Sequence, residues 1–151
     1  MHWLTFQTRR ELGTSEITQK AFTESMLNRF DVKLGPREEG GLGGDWPSRE
    51  AVGSLMWLFT MTRPDISNAV RAVERYSHNP TDRRWIAVRK AIAYLYGTNA
   101  VGFTFVRRSR LVLTTYSDAD HADKSNDRRS VSTTVVAVGS AAVSWTSSTQ
   151  K

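Results

Sequence analysis

The hydrophobic positions of the chain follow a helical period in the first two thirds and a strand period in the last third. In "QKAFTESMLNRF", residues 19–30, the apolar side chains recur at helical spacing on one face: Phe22, Met26, Leu27 and Phe30. Two further apolar faces follow, one formed by Ile66, Val70 and Val73 and one by Trp85, Val88, Ile92 and Leu95. The pattern predicts helices that pack these faces into a core.

Proline, threonine and glycine mark the ends of the middle helices. Pro47 precedes "SREAVGSLMWLFTM", and Pro64 opens "DISNAVRAVERYSHN". Thr81 is a typical N-cap for "DRRWIAVRKAIAYLYG", and Gly97 is its predicted stop. A central segment of three helices is therefore expected.

Short runs of β-branched and aromatic residues predict strands at both ends of the chain. Around Gly13, "LTFQTRRELGTSEIT" indicates a hairpin. Near the C-terminus, four runs alternate with period two: "VGFTFV", "LVLTTYS", "RSVSTTVVAVG" and "AAVSWTSS". The predicted fold class is α+β, with an N-terminal hairpin and helix, a central helical segment and a C-terminal antiparallel strand meander.

Length and composition indicate one soluble globular chain. The sequence has 151 residues, 39% of them hydrophobic, and no cysteine, which excludes disulfides and zinc–thiolate sites. The histidines at positions 2, 78 and 121 are too scattered to suggest a metal cluster. No run of 18 apolar residues and no signal-peptide pattern is present. We expect a soluble, intracellular protein that makes no use of a membrane.

The net charge of +6 is concentrated in the middle of the chain. Residues 63–110 carry ten basic and three acidic side chains, whereas the flanking segments are nearly neutral. A basic stripe on one face would suit a nucleic-acid backbone, although a solvated helical surface has the same composition. The candidate phosphate contacts lie on the second and third central helices: Arg71, Arg75, Arg83, Arg84, Arg89 and Lys90.

The stretch "YSDADHADKSNDRRS", residues 116–130, raises the question of a metal site. It lacks the glycine and glutamate that an EF-hand starting at Asp118 would need. On an extended strand, Asp118 and Asp120 project to one face, where a carboxylate is a natural ligand for Mg²⁺. The alternative is that these two aspartates end a strand, while Asp123, Asn126 and Asp127 accept backbone hydrogen bonds in turns.

Motifs in consecutive order resemble one family. "YSDADHADKSNDRRSVS" followed by "AAVSWTSSTQK" resembles the opening of the RNase H domain of copia-type retrotransposon polyproteins. Upstream, the chain is similar to the segment that joins reverse transcriptase to RNase H, with its signatures at 52–55 (Val-Gly-Ser-Leu), 62–66 (Thr-Arg-Pro-Asp-Ile) and 93–98 (Ala-Tyr-Leu-x-Gly-Thr). "QKAFTESMLNRF" resembles the last helical region of the polymerase palm.

The resemblance implies a division of the chain into four parts. Residues 1–34 correspond to the end of a palm-like segment, 35–47 to a linker rich in glycine and proline, 48–98 to a basic helical connection, and 99–151 to an incomplete RNase H-like domain. It also implies that Asp118 is the first catalytic, metal-binding aspartate of RNase H. The remaining acidic ligands of that family would follow Lys151, and the Tyr-x-Asp-Asp turn of the polymerase does not occur here. His121 and Thr133 depart from the family, which usually has an aromatic residue and a glycine there.

The resulting functional hypothesis is a polyprotein fragment that is inactive alone. Its parent would perform RNA-directed DNA synthesis and RNase H cleavage of RNA–DNA hybrids with Mg²⁺, while no ion is expected to bind tightly to this chain. Expected partners are nucleic acid and the remainder of the polyprotein, together with self-association through unpaired strand edges. The alternatives are a noncatalytic nucleic-acid-binding module and a relic without function.

Overall fold

The computed structural model describes residues 5–9, 13–30, 47–74, 81–107, 110–120 and 130–150. The elements in chain order are β1 (Thr5–Arg9), β2 (Thr14–Thr18), α1 (Lys20–Phe30), α2 (Ser48–Met61), a 3₁₀ turn (Pro64–Ile66), α3 (Ser67–Glu74), α4 (Asp82–Gly97), β3 (Gly102–Val106), β4 (Leu113–Asp120), β5 (Val131–Val138) and β6 (Ala141–Thr149). This combination of helices and antiparallel strands confirms the predicted α+β class. The predicted linker at 35–47 lies outside the described residues, apart from Pro47.

Two compact units divide the chain. The helical unit comprises Met1–Thr5 and Thr18–Gly102, and the strand unit comprises Phe6–Ile17 and Phe103–Lys151. All four helices belong to the first unit, and most residues of both sheets belong to the second. The N-terminal hairpin and the C-terminal strands, far apart in sequence, therefore belong largely to the same unit.

The helical unit is built around one apolar core to which every helix contributes. Both apolar faces predicted for the middle of the chain are buried as expected. One consists of Ile66, Val70 and Val73, and the other, on α4, of Trp85, Val88, Ile92 and Leu95. On α1, Met26 is buried, and Phe22, Leu27 and Phe30 pack against the same core at partial burial. Helix α2 adds Ala51, Val52, Leu55 and Leu58, at the i, i+1, i+4, i+7 spacing of an amphipathic helix.

The residues predicted to begin and end the helices do so only in part. Thr81 occupies the N-cap of α4, but its side chain makes no cap hydrogen bond, and only its carbonyl oxygen accepts the N–H groups of Arg84 and Trp85. Helix α4 ends at Gly97, as predicted. Pro64 begins the 3₁₀ turn, and α3 starts directly after it at Ser67.

The strand unit contains two three-stranded sheets, ordered β1-β2-β3 and β4-β5-β6. The second is the predicted antiparallel meander, with Val138 opposite Ala141 across the turn at Gly139. Gly139 has a φ of 62°, a left-handed conformation that glycine adopts without steric cost. Strand β5 lies in the middle of that sheet, and β4 and β6 are its outer strands.

Strand β3 differs from the expectation, because it leaves the meander and lies beside β2. Directly after β3, the N–H of Arg107 donates to the carbonyl oxygen of Gly13 at 2.7 Å. On β3 itself, the ring of Phe103 lies 5.2 Å from that of Trp145 on β6. The period-two pattern predicted a strand here correctly, but the choice of neighbour depends on these long-range contacts.

Candidate nucleic-acid interface

Helix α4 presents two of its four candidate basic residues on one solvent-facing side. Arg83 and Lys90 are exposed, and a separation of seven residues places them on the same side of the helix, about 10 Å apart along its axis. Neither residue takes part in an ion pair within the described part of the chain. Both side chains are therefore candidates for contact with an anionic ligand.

The other two basic residues of α4 border its buried face. Arg84 and Arg89 are half-buried, whereas Arg83 and Lys90 on the same helix are exposed. Arg84 also has a contact partner of its own. The four basic residues predicted on α4 thus divide into an exposed pair and a half-buried pair.

The two candidate phosphate contacts before α4 add no exposed charge that the structure describes. Arg71 on α3 is half-buried, and its side chain is engaged in contacts within the protein. Arg75 lies outside the described residues. The best-defined basic surface is therefore the exposed Arg83/Lys90 side of α4.

A groove of about 370 Å³ lies between α3 and α4, next to this surface. Alanines line both of its walls: Ala69 and Ala72 on α3, and Ala87 and Ala91 on α4. Asp65, Lys90 and Tyr94, which have polar side chains, also line it. Tyr94 is 50% exposed, so much of the residue remains open to solvent.

A buried arginine organises one end of the groove. The side chain of Arg63, only 1% exposed, forms a bidentate pair with Asp65, from Nε to Oδ1 at 2.9 Å and from Nη2 to Oδ2 at 2.8 Å. Its Nη1 donates to the Thr98 carbonyl oxygen, and its Nη2 donates to the Thr98 hydroxyl, both at 2.8 Å. The Tyr94 hydroxyl donates to Asp65 Oδ2 at 3.1 Å.

The sequence did not predict this hydrogen-bond network, although its residues belong to two of the motifs identified there. Arg63 and Asp65 belong to the signature at 62–66, and Tyr94 and Thr98 belong to that at 93–98. The fold joins the two signatures, so Arg63 is a structural residue and not part of the exposed basic surface. The signal in the sequence was an arginine beside a proline and an aspartate, directly after an apolar helix.

The same network sets the ionisation of Asp65. Partial burial raises the pKa of its carboxyl group, but the hydrogen bonds and positive charge of Arg63, with the hydrogen bond from Tyr94, outweigh that effect. The net result is a pKa below the usual value for aspartate. Asp65 is therefore a charge-compensated carboxylate at neutral pH.

In the strand unit, Asp118 lies on the outer strand β4 and is exposed. It faces Thr133 on β5, which in turn faces Ser147 on β6. The Thr133 hydroxyl donates to the Ser147 hydroxyl at 3.5 Å. The pairing of β4 with β5 continues through Thr133 without a shift, so the departure from glycine at this position introduces no bulge.

The described residues around Asp118 do not complete a set of magnesium ligands. Within the part of the chain that the structure describes, no three His, Cys, Asp or Glu side chains converge as a metal site would require. Asp120 pairs with Val131 through its backbone, and the predicted turn residues Asp123, Asn126 and Asp127 lie outside the described residues. One exposed carboxylate is a poor fit for Mg²⁺.

No helix among the described residues has the length and apolar character needed to cross a membrane.

Sequence comparisons connect the chain to transposon polyproteins. It is 41% identical to the retrovirus-related Pol polyprotein from transposon RE2 of Arabidopsis thaliana over 103 residues, which cover 68% of this chain. It is 39% identical to the corresponding polyprotein from transposon TNT 1-94 of Nicotiana tabacum, with 89% of this chain covered. The matches span only 7% and 12% of those two polyproteins.

A third relative is much closer in size. The secreted RxLR effector protein 161 of Plasmopara viticola is 35% identical over 105 residues, which cover 70% of this chain and 74% of that protein. No protein-family model matches the chain. No solved structure matches it either.

Proposed function

Since the chain belongs to the family that includes the retrovirus-related Pol polyproteins from transposons, we propose that it is a polyprotein segment that binds nucleic acid through α4. The segment corresponds to the end of the reverse transcriptase, its helical connection and the first strands of RNase H. In an intact polyprotein it would hold an RNA–DNA hybrid while the catalytic parts act. Alone, the chain binds without cleaving.

The observation that carries the proposal is the exposure of Arg83 and Lys90 on one side of α4, where neither forms an ion pair with another described residue. Surface arginines and lysines commonly pair with neighbouring acidic groups, and such pairs leave little charge for a ligand. Here the two cations remain unpaired among the described residues. A phosphate backbone offers negative charges at regular intervals, and its binding releases counterions.

Asp118 is the link to the cleavage activity proposed for the parent. Its place at the end of a strand, exposed on the sheet, is compatible with a first RNase H carboxylate. Hydrolysis by two metal ions requires several ligands in fixed geometry, and the described residues supply this one. We therefore propose no cleavage step for the chain on its own.

The test measures binding of a labelled RNA–DNA hybrid to the purified chain at one fixed, moderate salt concentration. Replacing Arg83 and Lys90 by alanine should weaken binding about tenfold, because two phosphate contacts are lost. The matched control replaces Arg49 and Arg110, also exposed, so that the net charge changes equally at other places. Equal weakening by both pairs, or no binding by the unmodified chain, would contradict the proposal.

A second measurement addresses cleavage. The hybrid is incubated with the chain and magnesium, with Asp118→Asn as the control. We expect no product from either protein. Cleavage by the unmodified chain that disappears in Asp118→Asn would show that residues outside the described ranges, or a second copy of the chain, complete the site.

A further inference from the structure

The groove between α3 and α4 has the size and the surface of a site for a small planar group. Its volume of about 370 Å³ lies near the lower end of the roughly 300–1,000 Å³ typical of small-molecule pockets. The alanines on both walls, Ala69 and Ala72 facing Ala87 and Ala91, leave room that longer side chains would fill. The groove is thus apolar in its body and polar where Asp65, Lys90 and Tyr94 line it.

Tyr94 supplies a fixed aromatic surface at this groove. Its hydroxyl is held by Asp65 Oδ2, and the Arg63 guanidinium lies 5.7 Å from the centre of its ring. The residue nevertheless remains half exposed. An aromatic ring that is both held in place and accessible is the feature on which proteins stack the bases of single strands.

The charges around the groove favour an anionic ligand. Asp65 is neutralised by its bidentate pair with the buried Arg63, so it adds little net negative charge. Lys90 lines the groove without an ion pair in the described part of the chain, and Arg83 lies two helical turns earlier on the same side of α4. A stacking surface therefore adjoins two available cations along one helix.

From this arrangement we infer that the groove takes an unpaired nucleobase of a single-stranded RNA or DNA segment, stacked against Tyr94, while Lys90 and Arg83 contact the adjoining phosphates. The inference rests on the proposed function and extends it. In a duplex, both faces of each base are already stacked and cannot enter such a groove. The chain should therefore prefer a hybrid with a single-stranded overhang to a blunt one.

The experiment compares two labelled strands of equal length, one with all its bases and one with abasic positions, at several salt concentrations. Both strands carry the same phosphates, so their difference in affinity reports the base alone. We expect the intact strand to bind about tenfold more tightly, within the range measured for stacking of one base on an aromatic side chain. Tyr94→Leu should remove most of this difference, and Tyr94→Phe should keep it.

A second pair of variants fills the groove without changing any charge. Ala69→Leu with Ala72→Leu should abolish the preference for the intact strand and leave the salt-sensitive binding. The matched control, Ser25→Leu with Asn28→Leu, places two leucines at the same spacing on exposed positions of α1. Circular dichroism of all variants verifies that the helices are retained.

The outcomes separate the two proposals. Binding of both strands with equal affinity would overturn the nucleobase site and leave the α4 interface standing, whereas no binding of any nucleic acid would overturn both. If the groove-filling pair changed the oligomeric state but not the preference for bases, the groove would be a protein contact and the inference would be wrong.

Discussion

The helical unit and the strand unit use their signature residues in opposite ways. In the helical unit, Arg63 joins the signatures at 62–66 and 93–98, because it is buried and donates hydrogen bonds to Asp65 and Thr98. In the strand unit, Asp118 stays exposed on an outer strand. Motif residues of equal prominence in the sequence therefore differ in their surroundings: Arg63 is buried in a hydrogen-bond network, whereas Asp118 is open to solvent.

The two units also differ in how completely they bury apolar side chains. The helical unit has a core in which Leu55, Leu58, Ile92 and Leu95 are wholly inaccessible. In the strand unit, the residues of β5 are only half-buried, and Leu113 and Tyr116 on β4 are exposed. The helical unit is therefore expected to provide most of the stability, and the predictions that follow test this contrast.

The largest effect is expected for a core leucine. Leu55→Ala removes a side chain that is 0% exposed and should lower the free energy of unfolding by about 3–4 kcal/mol. Leu113→Ala, at a position that is 69% exposed, should change it by less than about 0.5 kcal/mol. Urea denaturation measures both. Equal losses would mean that the strand unit has a core as complete as that of the helical unit.

Next in size is the buried arginine. Arg63→Ala should cost about 2–3 kcal/mol, because it leaves the Asp65 carboxylate and the Thr98 carbonyl group without their charged partner. Arg63→Lys should cost less but remain destabilising, since an ammonium group cannot reproduce the two parallel hydrogen bonds that the guanidinium donates to Asp65. Arg83→Ala, on the exposed side of α4, serves as the control and should be nearly neutral. A neutral Arg63→Ala would refute the structural role assigned to this residue.

The exposed outer strand of the strand unit should promote self-association. Replacing both Leu113 and Tyr116 by lysine should weaken association at least about tenfold, because charged residues on an edge strand oppose pairing with another chain. Sedimentation velocity over a concentration series measures the change. The control adds the same charge on α1, at Ser25 and Asn28. A monomer at every concentration, with one sharp unfolding transition, would contradict the predicted self-association.

The smallest effect concerns pH. Because the pKa of Asp65 is lowered in the folded protein, the unfolded chain takes up this proton first as the pH falls. The stabilisation is fully present above about pH 4 and is lost as the pH falls through the folded-state pKa. Asp65→Asn should therefore flatten the dependence of stability on pH below about pH 4. An unchanged acid profile in urea denaturation would show that the pair adds no pH-dependent stability.

Much of the fold could be predicted from periodicity, because each helix has an apolar face and the strands contain β-branched and aromatic residues. The partner of β3 could not, since its pairing with β2 joins residues that are distant in sequence, as in the hydrogen bond from Arg107 to Gly13. The same limit applies to Arg63. In the sequence, Arg63 counts as one of the basic residues of the middle segment. Its burial becomes visible only in the fold, where the end of α4 packs against the 3₁₀ turn.

For the candidate interface, the sequence placed four basic residues on α4 but could not show which of them are exposed. Arg84 and Arg89 are half-buried while Arg83 and Lys90 are exposed, so the position around the helix, and not the local charge, decides which cations face solvent. Asp118 was predicted as half of a metal site, and the described residues place no further ligands beside it. Its role in magnesium binding stays a prediction.

The most direct test of nucleic-acid binding by α4 is the salt dependence of hybrid affinity. The logarithm of the association constant is plotted against the logarithm of salt concentration for the unmodified chain and for the Arg83→Ala, Lys90→Ala double variant. Each lost phosphate contact should reduce the slope by roughly 0.9, so we expect a reduction of nearly two. Parallel lines for the two proteins would contradict the assignment of phosphate contacts to this side of α4.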